Sequence, residues 1–187
     1  MDIETTNHID AFVEQHLNGR TPVGSYGRTL ICGSNLYDTQ KEDRRKRYPN
    51  AIGVDAIAGD GVDWKIDLED RYTPGALGVF QHIECISVLE HSKRPWMIAQ
   101  NIKAMLAPHG TVVVSAPFAW RRHSYPSDYF RFTVEGLKEL FHGIKVIATG
   151  YHHSGRTERD GKTIPVLDFD GVKYIARTES LLFGEWI

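Results

Sequence analysis

Residues 80–118 read FQHIECISVLEHSKRPWMIAQNIKAMLAPHGTVVVSAPF, and the order of the signals in this stretch decides the fold. An apolar run from Phe80 to Leu89 closes on Glu90-His91. An amphipathic run from Pro95 to Leu106 follows, then the stop Leu-Ala-Pro-His-Gly, then a second apolar run, TVVVSAPF. Strand, acidic turn, helix, stop and strand make one βαβ crossover. Such a unit implies a parallel sheet, because two adjacent parallel strands need a long connection, usually a helix. Open parallel sheets bind ligands outside the carboxyl ends of their strands. Glu90-His91 and Ala116-Pro117-Phe118 therefore fall where chemistry is expected.

Working outward, Arg28–Cys32 (RTLIC) is a short strand-like run ending in the loop signal Gly33-Ser34-Asn35. Ala51–Asp55 (AIGVD) is a second buried-type strand that closes on an acid, and residues 62–68 (VDWKIDL) alternate weakly as a third. Downstream, Thr133 can cap a helix over 134–141, and 144–149 (IKVIAT) and 172–177 (VKYIAR) read as the last two strands. Between these two lies a long polar segment with a hairpin turn expected at Asp160-Gly161. Near the start, Ile9, Phe12, Val13 and Leu17 fall at helical spacing, with Thr6 or Asn7 as cap and Gly19 as stop. That helix is expected across one end of the sheet, joined to it by a turn-rich link at residues 21–25. Alternating strands and helices from 28 to 142 give an α/β class. One domain over 1–187 is expected, with a helical leader (1–27), a core (28–142) and terminal strands with a long loop (143–187).

Composition bounds the function. A chain of 187 residues suits one domain, and its 41% apolar and 25% charged content is ordinary for a soluble globular protein. The formal net charge of −2 gives no basic field to recruit nucleic acid or an anionic membrane. Cys32 and Cys85 both lie in apolar runs, which fits two buried thiols in a reducing, cytoplasmic compartment. No apolar run is long enough to span a bilayer, and the acidic start MDIETTN lacks a signal peptide's basic region. Gly-x-Ser-x-Gly, Walker and Cys-x-x-Cys motifs are absent. The run KEDRRKR (41–47) mixes both signs and reads as a solvated helix face. His142 and His152-His153 have no Cys or carboxylate at ligand spacing, so they read as exposed loop histidines and no metal is expected.

Val-Leu-Glu-His (88–91), Leu-Ala-Pro-His-Gly (106–110) and Ser-Ala-Pro-Phe (115–118) together resemble the S-adenosylmethionine-dependent methyltransferases of the class I, Rossmann-like type, in particular the methyltransferase type 11-like group. The resemblance covers roughly residues 28–142. It implies a doubly wound, mostly parallel sheet with an antiparallel last strand, S-adenosylmethionine as cofactor, and a small-molecule or glycan-type acceptor.

On the cofactor side, Asp55 follows the Gly33 turn by about 20 residues, the spacing at which a strand-two acid binds ribose hydroxyls in Rossmann-type sites. A carboxylate suits two adjacent hydroxyl donors, because its two oxygens can accept both. Plain turn work by a strand-end Asp is the competing reading. Gly33, Ser34 and Asn35 form the first turn, where family members commonly have Gly-x-Gly-x-Gly after an acid inside strand one. Here one glycine remains and Ile31 stands where that acid would fall. Asn35 and Asp38 are the candidate substitutes. The resemblance places Asp67 at the adenine amino group and Leu68 against the ring, although Asp67 suits a turn or cap equally well. It also places Glu90 at the methyl-transfer face, against a simpler role capping the next helix.

On the substrate side, residues 123–133 (HSYPSDYFRFT) resemble the His-x-x-Pro-x-Asp-Tyr-x-Arg-Phe-Thr segment of one methyltransferase subgroup. Rings there can stack on a planar or sugar substrate, and Arg131 can hold an anion or pair structurally with Asp128. Methyl transfer to a hydroxyl needs a base, and His91, His123 and Asp128 are the candidates in that order. Tyr129, Phe130 and Phe132 are also candidates for plain core packing. Two other readings remain open: a partner-binding scaffold that keeps the fold without catalysis, and an NAD-binding protein. The second lacks Gly-x-Gly-x-x-G.

Overall fold

The computed structural model describes residues 3–16, 27–37, 42–120, 122–123, 127–153, 165–167, 173–175 and 178–187. Strands run in chain order as β1 (Thr29–Cys32), β2 (Ala51–Asp55), β3 (Trp64–Lys65), β4 (Phe80–Ile86), β5 (Leu106–Ala119), β6 (Lys145–His153), β7 (Pro165–Leu167), β8 (Lys173–Ile175) and β9 (Thr178–Glu185). Helices are α1 (Ile3–Gln15), α2 (Thr73–Leu77), α3 (Pro95–Met105) and α4 (Val134–Leu140). The seven-stranded sheet has the order β3-β2-β1-β4-β5-β9-β6. The β3–β2, β2–β1, β1–β4 and β4–β5 pairs are parallel, and β9 runs antiparallel between β5 and β6. Strand order reverses at β1, so β2 lies on one side of it and β4 on the other. That divergence opens a crevice at the carboxyl ends of these three strands.

The quoted crossover forms as its periodicity dictates. In α3, Ile98, Ala99, Ile102 and Met105 fall on one stripe and are fully or almost fully buried. Pro95 sits in the first turn, where its missing N–H costs nothing. The stripe packs with Leu137 and Phe141 on the sheet face that presents Ile83, Val112, Val114 and Leu182. Each such side chain contributes about 1.5–3 kcal/mol when fully buried. Thr133 caps α4, its hydroxyl accepting from the Gly136 N–H at 2.9 Å.

The other sheet face presents the alternate residues Val113, Leu181 and Phe183, which α1 covers with Ile9 and Val13. The first helix thus lies against a sheet face rather than across an end, because β5 and β9 are apolar on both faces and need a second cover. Leu17, Gly19, the link at 21–25, Asp38 and the turn at Asp160-Gly161 lie outside the described residues. The third strand shrinks to Trp64–Lys65.

Three further expectations are overturned. The terminal strand of the main sheet is β9, TESLLFGE, and not 172–177. Within that run Lys173–Ile175 instead pairs with β7 in a separate two-stranded ribbon. Within the run 41–47, Arg44 is no solvated cation: it lies buried in a short 3-10 turn (Arg44–Arg47). His152 is no exposed loop residue either: it lies buried in β6, stacked on His8 at 3.8 Å between ring centroids.

Candidate functional site

A cavity of about 400 Å3 occupies the crevice, walled by the ends of β1, β2 and β4 and by the loop after β5. Gly33, Ser34, Asn35, Asp55, Asp67, Leu68, Glu90, His91 and His123 all line it. Asp128, the third candidate base, is not among the lining residues.

The first turn folds back on β2: the Gly33 and Ser34 N–H groups both donate to the Val54 carbonyl, at 2.9 and 3.1 Å. Gly33 has φ +67°, and a Cβ there would meet Val88 Cγ2 at 2.5 Å, so backbone alone fits between β1 and the cavity. Asp55 is almost fully buried and organises the loops around it. Its Oδ2 accepts from the Asn35 N–H at 3.3 Å; its Oδ1 accepts from the Ile57 N–H at 2.9 Å and the Tyr37 hydroxyl at 3.2 Å. Burial, and then the adjacent Asp55 charge, push Tyr37 up to about 12, so it stays a protonated donor at neutral pH. The Asn35 side chain is spent on the Ile57 carbonyl at 3.1 Å. Asp67 makes a turn, accepting from the Glu69 N–H at 2.8 Å, while Leu68 is buried beside it.

At the other end of the cavity, Glu90 and His91 belong to a single 3-10 turn, Leu89–His91. Glu90 does not cap α3. Its side chain is 1% exposed, and Oε2 has no hydrogen-bond partner among the described residues. Burial, and then the nearby Glu179 carboxylate, push its carboxyl up to about 8. His91 Nδ1 lies 2.5 Å from the Ser127 carbonyl, and its ring meets the His123 ring edge-on, centroids 4.9 Å apart. Asp128 takes a bidentate clamp from Arg131 and also accepts from the His123 backbone N–H at 2.8 Å. The Arg131 hydrogen bonds hold the Asp128 carboxyl well below the usual carboxylate range, which makes it a poor proton acceptor. Of the three aromatic candidates for packing, Phe132 is core, whereas Tyr129 and Phe130 are exposed.

Sequence reading passed over Glu84 and Arg44, which share the cavity wall. Glu84 is the lone acid inside β4 and sits in register beside Ile31 of β1. An acid thus stands beside position 31, one strand over. Glu84 accepts from Arg44 Nε and Nη2 at 2.5 Å each and from the Tyr48 hydroxyl at 2.5 Å. Burial opposes its charge, but Arg44 outweighs burial and holds the carboxyl far below its ordinary value. Arg44 also reaches Asp10 of α1 at 2.9 Å, tying that helix to the cavity wall. The signal was an acid flanked by apolar residues in a strand buried on both faces. Trp120 and Glu179, both also on the wall, gave no such signal.

No family model and no curated protein matches this sequence. Solved structures do match. The chain is similar to the N-methyltransferase NodS of Bradyrhizobium japonicum WM9 in complex with S-adenosylhomocysteine, at TM-score 0.61 and 13% identity over 98% of this chain and 88% of that one. It is similar to a SAM-dependent methyltransferase of Archaeoglobus fulgidus at TM-score 0.64 and 12% identity, covering 96% and 93%. A third match is the N-terminal domain of EvdMO1, solved in the presence of S-adenosylhomocysteine and D-fucose, at TM-score 0.54 and 14% identity, covering 97% and 82%. With the strand order, the crevice at β1 and the inserted antiparallel β9 already established, these likenesses show that this chain has the class I S-adenosylmethionine-dependent methyltransferase fold.

Proposed function

We propose that this chain is an S-adenosylmethionine-dependent methyltransferase acting on a small-molecule or glycan-type acceptor. The observation that carries this reading is the single cavity whose one end presents Gly33, Asp55 and Leu68 and whose other end presents Glu90, His91 and His123. On this reading Asp55 accepts the ribose hydroxyls, with the Tyr37 hydroxyl vacating an acceptor position as the cofactor enters. The bare backbone at Gly33 lets the cofactor approach β1. Leu68 packs on the adenine, and the outer Asp67 oxygen takes its amino group. Arg44 and Glu84, fixed to each other, take the part of the missing strand-one acid at the amino-acid end. Arg44 offers a cation to the cofactor carboxylate, and Ser34 and Asn35 shape the turn.

The cofactor's sulfonium is already activated, so the protein's work is alignment of acceptor, methyl and sulfur. For a hydroxyl acceptor, His91 and His123 are the bases in reach of the cavity, and Asp128 positions His123 rather than taking the proton itself. The modest cavity and the absence of a basic field favour a compact acceptor over nucleic acid. Among the described residues no helix is long and apolar enough to cross a membrane.

Calorimetric titration with S-adenosylmethionine and S-adenosylhomocysteine, with NAD as control and Asp55→Ala alongside, tests the reading. Micromolar binding of both sulfur ligands, weakened at least tenfold in Asp55→Ala, is the expected result, since a hydrogen bond to a charged group contributes about 1.5–3 kcal/mol. No binding at millimolar ligand would overturn it and favour a scaffold that keeps the fold without the chemistry.

A further inference from the structure

We infer that Glu90, His91 and His123 form a binding site for a divalent transition-metal ion at the acceptor end of the cavity. One ligand atom from each of the three lies within 4.8 Å of the other two. Ligand atoms about 2.0–2.1 Å from a tetrahedral zinc-type ion stand roughly 3.3 Å apart, so the set must close by about 1.5 Å at most to hold one. Two imidazoles and one carboxylate with an open fourth position are a donor set suited to zinc or iron(II). Magnesium and calcium prefer all-oxygen shells.

Two further observations support an ion here. Glu90 Oε2 and His123 Nδ1 are both buried without a hydrogen-bond partner among the described residues, and buried polar atoms are rarely left so. His123 Nδ1 does lie 3.2 Å from Asp128 Oδ2, but not aligned for a hydrogen bond, so it still has directional capacity to use. His91 is held from behind: its Nδ1 is on the Ser127 carbonyl at 2.5 Å, and Nε2 lies 3.7 Å from Glu90 Oε1. A backbone carbonyl fixing the far nitrogen is how metal-binding histidines are commonly oriented.

Metal binding itself does not depend on the methyltransferase reading, but its role does. With His91 and His123 taken up as ligands, neither would act as the base: an acceptor hydroxyl on the open position of the ion would have a lowered pKa and would release its proton to water. The oxygen then forms a bond to the methyl carbon as the carbon–sulfur bond breaks. The electron pair returns to sulfur and leaves S-adenosylhomocysteine.

The test uses the full chain without an affinity tag, stripped with chelator and titrated with Co2+ and then Zn2+. The expected result is one Co2+ per chain with visible d–d bands, displaced by Zn2+. The isosteric Glu90→Gln and the His91→Ala and His123→Ala variants, each checked for native circular dichroism, should each lose tenfold or more in affinity. His142→Ala should bind as the parent does. Absence of Co2+ and Zn2+ binding by the parent chain at 1 mM (roughly the weak limit of specific association) would overturn the proposal. So would undiminished binding in the His91→Ala/His123→Ala double variant, or equal loss in His142→Ala. S-adenosylhomocysteine titration of the stripped protein is read separately, so failure of the cofactor reading leaves the metal result intact.

Discussion

Replacing Glu84 by Gln removes one charge from the most buried ionic cluster of the cavity wall and keeps its shape. The Glu84 side chain is 2% exposed and that of Arg44 6%, so water cannot replace what is lost. Glu84 receives two hydrogen bonds from Arg44 and one from Tyr48. A glutamine amide can keep an acceptor toward only part of that set, and its NH2 must face a donor. Arg44 then relies on Asp10, whose side chain is 21% exposed. Breaking a buried pair by removing one partner costs about 3–5 kcal/mol, chiefly because the surviving charge is stranded. For a chain of this size that is a fall in Tm of very roughly 6–20 °C. Arg44→Met should cost a similar amount by stranding Glu84. The double variant strands neither, so it should fall short of the sum of the two by about 2 kcal/mol or more. Urea unfolding followed by circular dichroism measures all four corners of the cycle. Costs that simply add, or a Glu84→Gln loss under about 1 kcal/mol, would refute the reasoning that this pair acts as one buried unit.

Three further outcomes follow from the same geometry. Gly33→Ala forces a Cβ into a position with φ +67° and 2.5 Å from Val88; a loss of about 1–2 kcal/mol by urea unfolding and weakened S-adenosylhomocysteine binding by calorimetry are expected. Thr133→Ala deletes the cap on Gly136 and should cost about 1 kcal/mol while leaving ligand affinity unchanged. Glu84 titrates lower in the folded chain than in the unfolded one, so its stabilisation is present above the ordinary glutamate pKa and is lost as pH falls below it. Urea midpoints should therefore drop faster between about pH 5 and 3 in the parent than in Glu84→Gln, whose position 84 cannot titrate.

Most of the sheet was legible because its periodicities are strong and local. The 80–118 crossover, the closing acid at Asp55 and the Thr133 cap each depend on residues a few positions apart. What escaped depends on distant partners. TESLLFGE carries a weaker strand signal than VKYIAR, containing two acids, a serine and a glycine, and it becomes a strand because β5 and β6 flank it on both sides. Arg44 reads as a surface cation until β4 sets Glu84 beneath it, 40 positions away in sequence. His123 and Asp128 could be named from their loop and ranked in that order, but the reason for the ranking lies in the fold. His123 lines the cavity, whereas Asp128 is clamped by Arg131 and holds the His123 backbone N–H from behind.

The degenerate first turn looks different once Glu84 is in place. An acid within strand one would project from β1 into the crevice, and Ile31 cannot replace it. Yet β1 and β4 run parallel, with Ile31 and Glu84 directly in register, so both side chains leave the sheet on the same side. Moving the carboxylate one strand over displaces it by about 4.8 Å, the spacing between neighbouring strands. That shift brings it against the chain segment carrying Arg44, and the resulting pair presents a guanidinium as well as a carboxylate to the cavity. The loss of one motif residue is thus bound up with two other features that would be unexplained separately: a buried arginine, and a helix α1 tied to the same cluster through Asp10. A scaffold with no ligand to hold would gain nothing in stability from such a cluster, since a buried ion pair rarely outperforms apolar packing of the same volume. Its position on the cavity wall therefore favours a ligand-binding role over a purely structural one.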